Sequence, residues 1–353
     1  LRIAITADVH LTSYKKNPER YNALENILVQ MVEDNIRKLI IAGDLFDSSC
    51  DNPGEFENLI DNEKYNHLII YIIPGNHDPA LSRGTFTSHN IHFLTNPELI
   101  NLSEDVSFFF LPYSAGTTQG QVLAAFQKEL ENKSWILVAH GDYRASTNLR
   151  NPYEAGYYMP LSRREIHMYH PLKVFLGHIH VPFDSDLLHY PGSPCGVDIS
   201  EKGIRSFIIY DTNTNKIKRQ SIRTDVIYFQ ETLTVLPVED EVNYLRDLLE
   251  RRISAWGLDE EQKQACRARI IVQGYSNNRQ LVLQTITDYV TQENISLLEP
   301  VDLSKVKISD DVMRADIVLL VQERLYEMCL SENEDEPTID DYILSAMNQI
   351  YRG

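Results

Sequence analysis

The residues of this chain best suited to chemistry are aspartates, histidines and one asparagine, each placed just after a run of apolar residues. LRIAITA leads into Asp8-Val9-His10, LIIA into Gly43-Asp44 with Asp47 close behind, and LIIYII into Pro74-Gly75-Asn76-His77-Asp78. WILVA leads into His140-Gly141, and KVFL into Gly177-His178-Ile179-His180. Any one of these has an ordinary explanation. An aspartate after a glycine is most often a turn residue, and a single histidine is most often packed in a core or left on the surface. Five apolar runs that each deliver a metal-capable residue at the same end are harder to dismiss. Asp8, His10, Asp44, Asn76, His140, His178 and His180 are too many ligands for one tetrahedral zinc. They suit two ions of higher coordination that share a carboxylate and a water. Mixed imidazole and oxygen donors suit manganese, iron or zinc better than calcium, and manganese is the first expectation. Two such ions ~3.5–4 Å apart clamp a phosphate, acidify a bridging water and stabilise both oxygens of an in-line displacement.

Residues of this kind need strands to position them. The apolar runs read as buried strands. In LIIAGDLFDS, residues 39 to 48, Gly43 permits the sharp turn that presents Asp44 just past the strand end. Residues 19 to 34 place Leu24, Ile27, Leu28 and Met31 at helical spacing, a stripe for core packing. FFFLPYS (108 to 114) reads as a strand without a ligand, and residues 120 to 131 as a helix. Residues 142 to 160 lack clear periodicity and hold Tyr143, Tyr153, Tyr157 and Tyr158. That loop is as consistent with packed surface tyrosines as with substrate contact. HYPGSP and RSFIIYD are further strand candidates. Alternating strands and helices, with continuous apolar strands, argue an α/β fold with covered sheets. In such folds ligands bind beyond the carboxyl ends of the strands, where every candidate ligand lies.

The second half reads differently. A β-α-β-α-β unit runs from about residue 229 to 303, without a metal-ligand cluster, and is expected to form a small separate domain. Two helical stretches follow, ADIVLLVQERLYEMCL and TIDDYILSAMNQIYRG, joined by the acidic SENEDEP. Ile317, Leu320, Val321, Leu325 and Met328 recur at helical spacing, as do Ile339, Ile343, Leu344, Met347 and Tyr351. The two stripes fit either packing on the chain's own domains or docking into a partner's groove.

Composition sets bounds. The chain has 353 residues, 43% hydrophobic and 24% charged, ordinary values for a soluble protein of two or three domains. No apolar run reaches the ~20 residues a membrane helix needs, and the opening strand-like segment does not resemble a signal peptide. Cys50, Cys195, Cys266 and Cys329 are far apart and form no C-x-x-C pair. Reduced thiols and a cytoplasmic location are expected. The net charge of −18 argues against a simple nucleic-acid binder. Residues 226 to 353 carry 24 acids and 12 bases, a net −12, which leaves −6 for the first 225. The acid excess is therefore mainly C-terminal.

DVH, GDLFD, GNHD, the apolar run ending in His140, and GHIH, in that order, resemble the motif set of the calcineurin-like metallophosphoesterases over roughly residues 1 to 225. Within that group, DVHL, GDLFDSS, GNHDP, and GHIH followed by YPGSP and a short capping domain are most similar to SbcD-type nuclease subunits of DNA double-strand-break repair complexes. The resemblance implies a four-layer αββα sandwich over residues 1–228, an α+β capping domain that binds DNA over 229–305, and a C-terminal helical segment over 306–353. It implies that Asp8, His10, Asp44 and His180 hold one ion, and that Asp44, Asn76, His140 and His178 hold the other. His77 would stabilise or protonate the leaving oxygen. Asp47 would orient His77. Archaeal and eukaryotic relatives usually carry histidine at that position, and bacterial SbcD-like chains often carry aspartate. The implied activity is metal-dependent DNA exo- and endonuclease, with an SbcC-like coiled-coil ATPase as partner and a homodimer left open. Because that partner grips part of the DNA, the acid excess is less of an objection. The alternative is a phosphatase or small cyclic-nucleotide phosphodiesterase with the same dinuclear site. The complete ligand set argues against an inactive scaffold.

Overall fold

The structure is a computed structural model that describes residues 1–48, 53–79, 81, 83–144, 156–309, 317–321, 324–325 and 339–351. Cys50, Tyr153, Met328, Cys329 and the SENEDEP joint lie outside the described residues. The chain divides into two compact units, Leu1–Val197 with Ile204–Asp225, and Asp198–Gly203 with Val226–Gly353. The division thus falls three residues before the expected 228/229, and Asp198–Gly203 groups with the second unit. Backbone pairing explains the excursion, since Lys202 forms a bridge with Tyr228 and the Gly203 N–H donates to the Tyr228 carbonyl at 2.9 Å.

The first unit holds two six-stranded sheets. One contains β1 (Arg2–Thr6), β2 (Lys38–Ala42), β3 (Ile69–Ile73) and β4 (Ile91–Phe93), all parallel. The other is built around β5 (Glu98–Asn101), β6 (Ser107–Leu111), β7 (Trp135–His140) and β10 (Val174–Gly177), with β6, β7 and β10 parallel. The short strands β8 (Tyr143–Arg144) and β9 (Leu161–Ser162) pair with each other. β11 (Phe183–Asp184) and β12 (Leu188–Tyr190) extend the second sheet, whereas β13 (Ser206–Asp211) and β14 (Lys216–Ser221) extend the first.

Strand alternation builds the layers. Ile3 and Ile5 of β1, Ile40 of β2 and Ile73 of β3 share one core with Phe108, Phe110, Ile136, Val138 and Phe175, so the two sheets pack face to face. Ala4, Leu39, Ile41, Ile70 and Ile72 point the other way. They meet Leu24, Ile27, Leu28 and Met31 of α1 (Pro18–Glu33), together with Phe56 and Ile60 of α2 (Gly54–Ile60). On the far side, Phe109, Leu137 and Leu176 meet Leu123 of α3 (Gln119–Ala125), Leu130 of α4 (Gln127–Leu130) and Ile166 of α5 (Arg163–Tyr169). The result is the α/β sandwich, helix–sheet–sheet–helix. The helix expected over 120 to 131 is two short ones, because Phe126 leaves the helical region (φ −99°, ψ 8°) to pack its ring 5.1 Å from Phe109.

The second unit has its own parallel sheet. β15 (Ile227–Val235) pairs with β16 (Cys266–Ser276), which pairs in turn with β17 (Ser296–Leu297) and β18 (Asp302–Ile308). α6 (Glu241–Ser254) and α8 (Arg279–Gln292) supply Leu245, Leu249, Val282 and Ile286 to the core formed with Leu233, Val272 and Val306; the short α7 is Glu260–Ala265. The expected boundary at 305/306 falls inside β18. The C-terminal helix Ile339–Ile350 buries Ile343 and Met347 against Leu236, Val238 and Tyr275 of the same unit, and Tyr351 stacks on Tyr275 at 4.2 Å. Over residues 317–321 it is Val318 that is buried, while Ile317, Leu320 and Val321 are exposed. Among the described residues no helix is long and apolar enough to cross a membrane.

Candidate metal centre

The site forms where the carboxyl ends of β1, β2, β3, β7 and β10 present their loops. Beyond β1 and β2 the chain stays zipped: Asp8 N–H donates to Gly43 O (3.1 Å), His10 N–H to Asp44 O (3.0 Å), and Leu11 N–H to Leu45 O (2.9 Å). Several of the residues past the strand ends lie in the left-handed region. Asp8 (φ 53°), His10 (φ 50°), Asp44 (φ 50°) and His178 (φ 97°) all occupy it. Aspartate and histidine are among the side chains that tolerate that region best, but holding them there still costs about 1–3 kcal/mol each, and such residues concentrate at functional sites. Gly43 (φ 95°) has a second constraint, since a β-carbon there would lie 2.0 Å from His140 Nδ1.

The side chains converge as two overlapping groups. His140 Nε2 lies 2.8 Å from Asn76 Oδ1 and 3.4 Å from Asp44 Oδ2, and His178 Nδ1 lies 3.1 Å from the same Asn76 oxygen. His140 Nδ1 faces the Ala42 carbonyl at 3.0 Å. That acceptor keeps a hydrogen on Nδ1 and directs Nε2 to the site. On the other side, His10 Nε2 is 3.7 Å from Asp44 Oδ2 and 3.0 Å from His180 Nε2. Asp8, His10 and His180 offer ligand atoms within 4.8 Å of one another, as do Asp8, Asp44 and His140. The structure therefore brings all seven candidate ligands together, with Asp44 in both groups.

Two details test whether cations fit. Asp8 Oδ2 is fully buried and has no hydrogen-bond partner among the described residues. A buried carboxylate oxygen without a donor is costly, and a divalent cation answers it. The facing His10 and His180 nitrogens are too close for two lone pairs unless a proton or a cation stands between them. Burial pushes the His10 imidazole down to about 3 against the attraction of Asp44, so His10 is a neutral ligand at ordinary pH. The donor set fits two divalent ions.

The charges are strongly coupled. Burial pushes Asp8 up to about 6, with His140 and His180 pulling the other way. Burial also opposes the charge on Asp44, but His140, through charge and a hydrogen bond, holds that carboxyl well below the usual range. His140 is raised to about 9: burial lowers it, and Asp44, Asp8 and the Ala42 carbonyl outweigh burial. Without metal, Asp44 and His140 form a buried ion pair.

His77 sits at the edge of this cluster. Its N–H donates to Asp44 Oδ1 at 2.9 Å, and its ring stands edge-on to His10 with centroids 4.8 Å apart. His77, His10 and Asp44 also offer ligand atoms within 4.8 Å, so His77 is close enough to ligate as well as to donate a proton. Asp47 and His77 line one cavity of about 210 Å³ with Phe46, Pro53 and Leu81. The Asp47 carboxylate also lies 3.9 Å from Arg20.

Two acids belong to the site that the motif reading did not assign. Asp78 accepts from Gly75 N–H (2.7 Å) and Phe46 N–H (3.1 Å), stitching the loop after β3 to the loop after β2. Burial and the charge of Asp44 push it up to about 6. Asp142 faces His178 Nε2 at 3.6 Å and accepts from Tyr158 N–H at 2.6 Å, while the Tyr158 ring lies 4.9 Å from that of His178. Asp78 had a signal in the GNHD motif. Asp142 had only its place after His140-Gly141.

Many solved structures are similar to this chain, among them the following three. An archaeal phosphodiesterase is 17% identical over 63% of this chain and 99% of its own, with a TM-score of 0.34. A dimetal phosphatase from Danio rerio is 10% identical over 63% of this chain and 96% of its own, with a TM-score of 0.42. Nuclease MPE from Pseudomonas putida is 18% identical over 45% of this chain and 73% of its own, with a TM-score of 0.26. The family assignment rests instead on sequence: the calcineurin-like phosphoesterase model matches residues 1–215, more than half of the chain and every strand that carries a candidate ligand, and the chain belongs to that family.

Proposed function

We propose that this phosphoesterase is a DNA exo- and endonuclease of the SbcD type that processes DNA ends together with an SbcC-like coiled-coil ATPase. The observation that carries the reading is the second unit. The unit that bears GDLFDSS, GNHDP, GHIH and YPGSP is followed in the same chain by an α/β unit with its own sheet and core. An enzyme for small diesters has less need of such an addition.

In this reading Asp8, His10, Asp44 and His180 hold one divalent ion, and Asp44, Asn76, His140 and His178 hold the other. When bound, the ions supply Lewis acidity to the phosphate and lower the pKa of a water. The chain's own residues do the rest. Asp44 contributes the charge common to both positions. The Ala42 carbonyl fixes the hydrogen on His140 Nδ1, so Nε2 is the ligating atom. His77, beside an open cavity, gives or holds a proton at the leaving oxygen. Asp78 fixes the loop on which Asn76 and His77 stand.

Docking on the ATPase would use Ile317, Leu320 and Val321, which are exposed. Ile343 and Met347 are not available for it, because they are buried in the chain's own second unit.

The test is a manganese-dependent assay on linear double-stranded DNA beside a small aromatic phosphodiester and a phosphomonoester. Cleavage of DNA at a kcat/KM well above that for the small esters is expected. Turnover of the small esters alone would replace this reading with a phosphatase or cyclic-nucleotide phosphodiesterase.

A further inference from the structure

Two buried arginines stand directly behind the facing histidines. Arg20, on α1, donates from Nη1 to the His10 carbonyl. Arg205, just before β13, donates from Nη2 to the His180 carbonyl. Arg20 is 8% and Arg205 2% exposed, although arginine is rarely so buried without a task for its charge. Arg205 also donates from Nε to the Ser193 carbonyl (2.9 Å) and from Nη2 to the Ser193 hydroxyl (2.7 Å), while Ser193 N–H reaches the same His180 carbonyl at 3.0 Å. This fork uses the planar geometry that lysine lacks.

The anchored residues are the ones whose separation an ion depends on. His10 Nε2 and His180 Nε2 are 3.0 Å apart. With no cation present, one ring N–H donates to the other ring nitrogen at that distance, whereas an ion held by both needs the lone pair of each. His10 is also held in the left-handed backbone region at φ 50°. Exchanging that proton for an ion removes the bond between the rings, and an unrestrained pair would have to be held at the right separation at a cost in affinity. Fixing each residue through its backbone carbonyl removes that cost in advance and leaves both Nε2 atoms directed at the site.

We infer that Arg20 and Arg205 are positioning residues, which hold the His10 and His180 imidazoles at the separation required to bind one of the two cations. The inference rests on the metal-centre reading and adds to it. Each guanidinium holds the backbone carbonyl of one histidine of the facing pair. The ion held by Asp8, His10, Asp44 and His180 should depend on them, whereas the ion at Asn76, His140 and His178 should not.

The experiment is titration of the metal-free full chain with Mn²⁺ alone, read by calorimetry and by the spin-resonance signal of free Mn²⁺. The unsubstituted protein should bind two ions. Arg205→Ala and Arg20→Ala should each weaken one ion by about 10–100-fold, the usual effect of losing a partner behind a metal ligand, and leave the other unchanged. Millimolar guanidinium should restore the lost affinity of Arg205→Ala. Arg205→Lys should retain little of it. The double substitution should cost less than the product of the single effects, because either one alone already frees the pair. Unchanged affinity for both ions in folded single variants overturns the inference, as does equal loss of both ions. Should Arg205→Ala not fold, Ser193→Ala removes one acceptor of the same guanidinium; unaltered metal binding in that variant counts against the Arg205 half. Failure of the unsubstituted protein to bind two ions would instead overturn the metal-centre reading.

Discussion

A β-carbon on Gly75 would stand 2.0 Å from Asp44 Oδ1 and 2.5 Å from the Asp44 backbone nitrogen. The loop after β3 therefore passes so close to the shared carboxylate that only glycine fits. Gly75→Ala must push that loop from the loop after β2, and the displaced groups include the Asp44 backbone. Both ions should bind more weakly, with metal content after purification below that of the unsubstituted protein. Normal retention of two ions would show that Asp44 does not link the two positions.

His77 presents a different question, because distance alone permits two roles. As proton donor or stabiliser it contributes typically ~10²–10⁴-fold to rate. His77→Ser should then keep both ions and lose turnover by about that factor. Loss of one ion in this variant would make His77 a ligand.

Much of this site was legible because strand alternation and turn residues are local. The run Ile3 to Ile5 and the run Ile40 to Ala42 had to be buried, and the residues just past them had to be presented at one edge. What was not legible depends on partners distant in the chain. Arg20 lies on a helix whose spacing shows which residues are buried, but spacing does not reveal that a charge is buried among them. Asp142 acquires its place from the His178 imidazole and the Tyr158 backbone, neither of which forms a pattern with it. Asp198–Gly203 groups with the second unit through pairing with Tyr228, a contact without a sequence signature. The C-terminal stripe was correctly amphipathic over Ile343 and Met347, yet periodicity does not say what covers an apolar face.

That cover has a measurable consequence. Met347 is fully buried with Ile343 against Leu236, Val238 and Tyr275. Met347→Ala should destabilise the second unit by about 2–5 kcal/mol, the usual cost of a buried methionine truncation. Denaturant unfolding followed by tyrosine fluorescence checks this. The seven-ligand site is on the other unit, so Mn²⁺ stoichiometry should not change. An unaltered midpoint would mean that the helix Ile339–Ile350 is not held against this core in solution.

The last expectation concerns protons that compete with metal. In the metal-free site the imidazole of His140 is raised to about 9, because Asp44 and Asp8 outweigh burial. At pH 7 it is therefore an imidazolium, with Nδ1 bonded to the Ala42 carbonyl and the second proton on Nε2, the atom needed as a ligand. A cation at that position must displace the proton. Below about 9, each unit of rising pH should tighten this ion about tenfold, and above 9 the dependence should flatten. The other position differs in sign of readiness, since His10 is already neutral and Asp8, raised to about 6 by burial, is ionised above that value. Its affinity should be nearly flat from pH 7 to 9 and fall as pH drops through 6. Calorimetric Mn²⁺ titrations at pH 6, 7, 8 and 9, in buffers of different ionisation enthalpy, should show one proton released for the first position and close to none for the second between pH 7 and 8. Asp44→Asn removes the larger of the two charges that raise His140, so the proton release at pH 7 to 8 should shrink in that variant along with much of the affinity. Undiminished proton release in Asp44→Asn would locate the titrating group elsewhere.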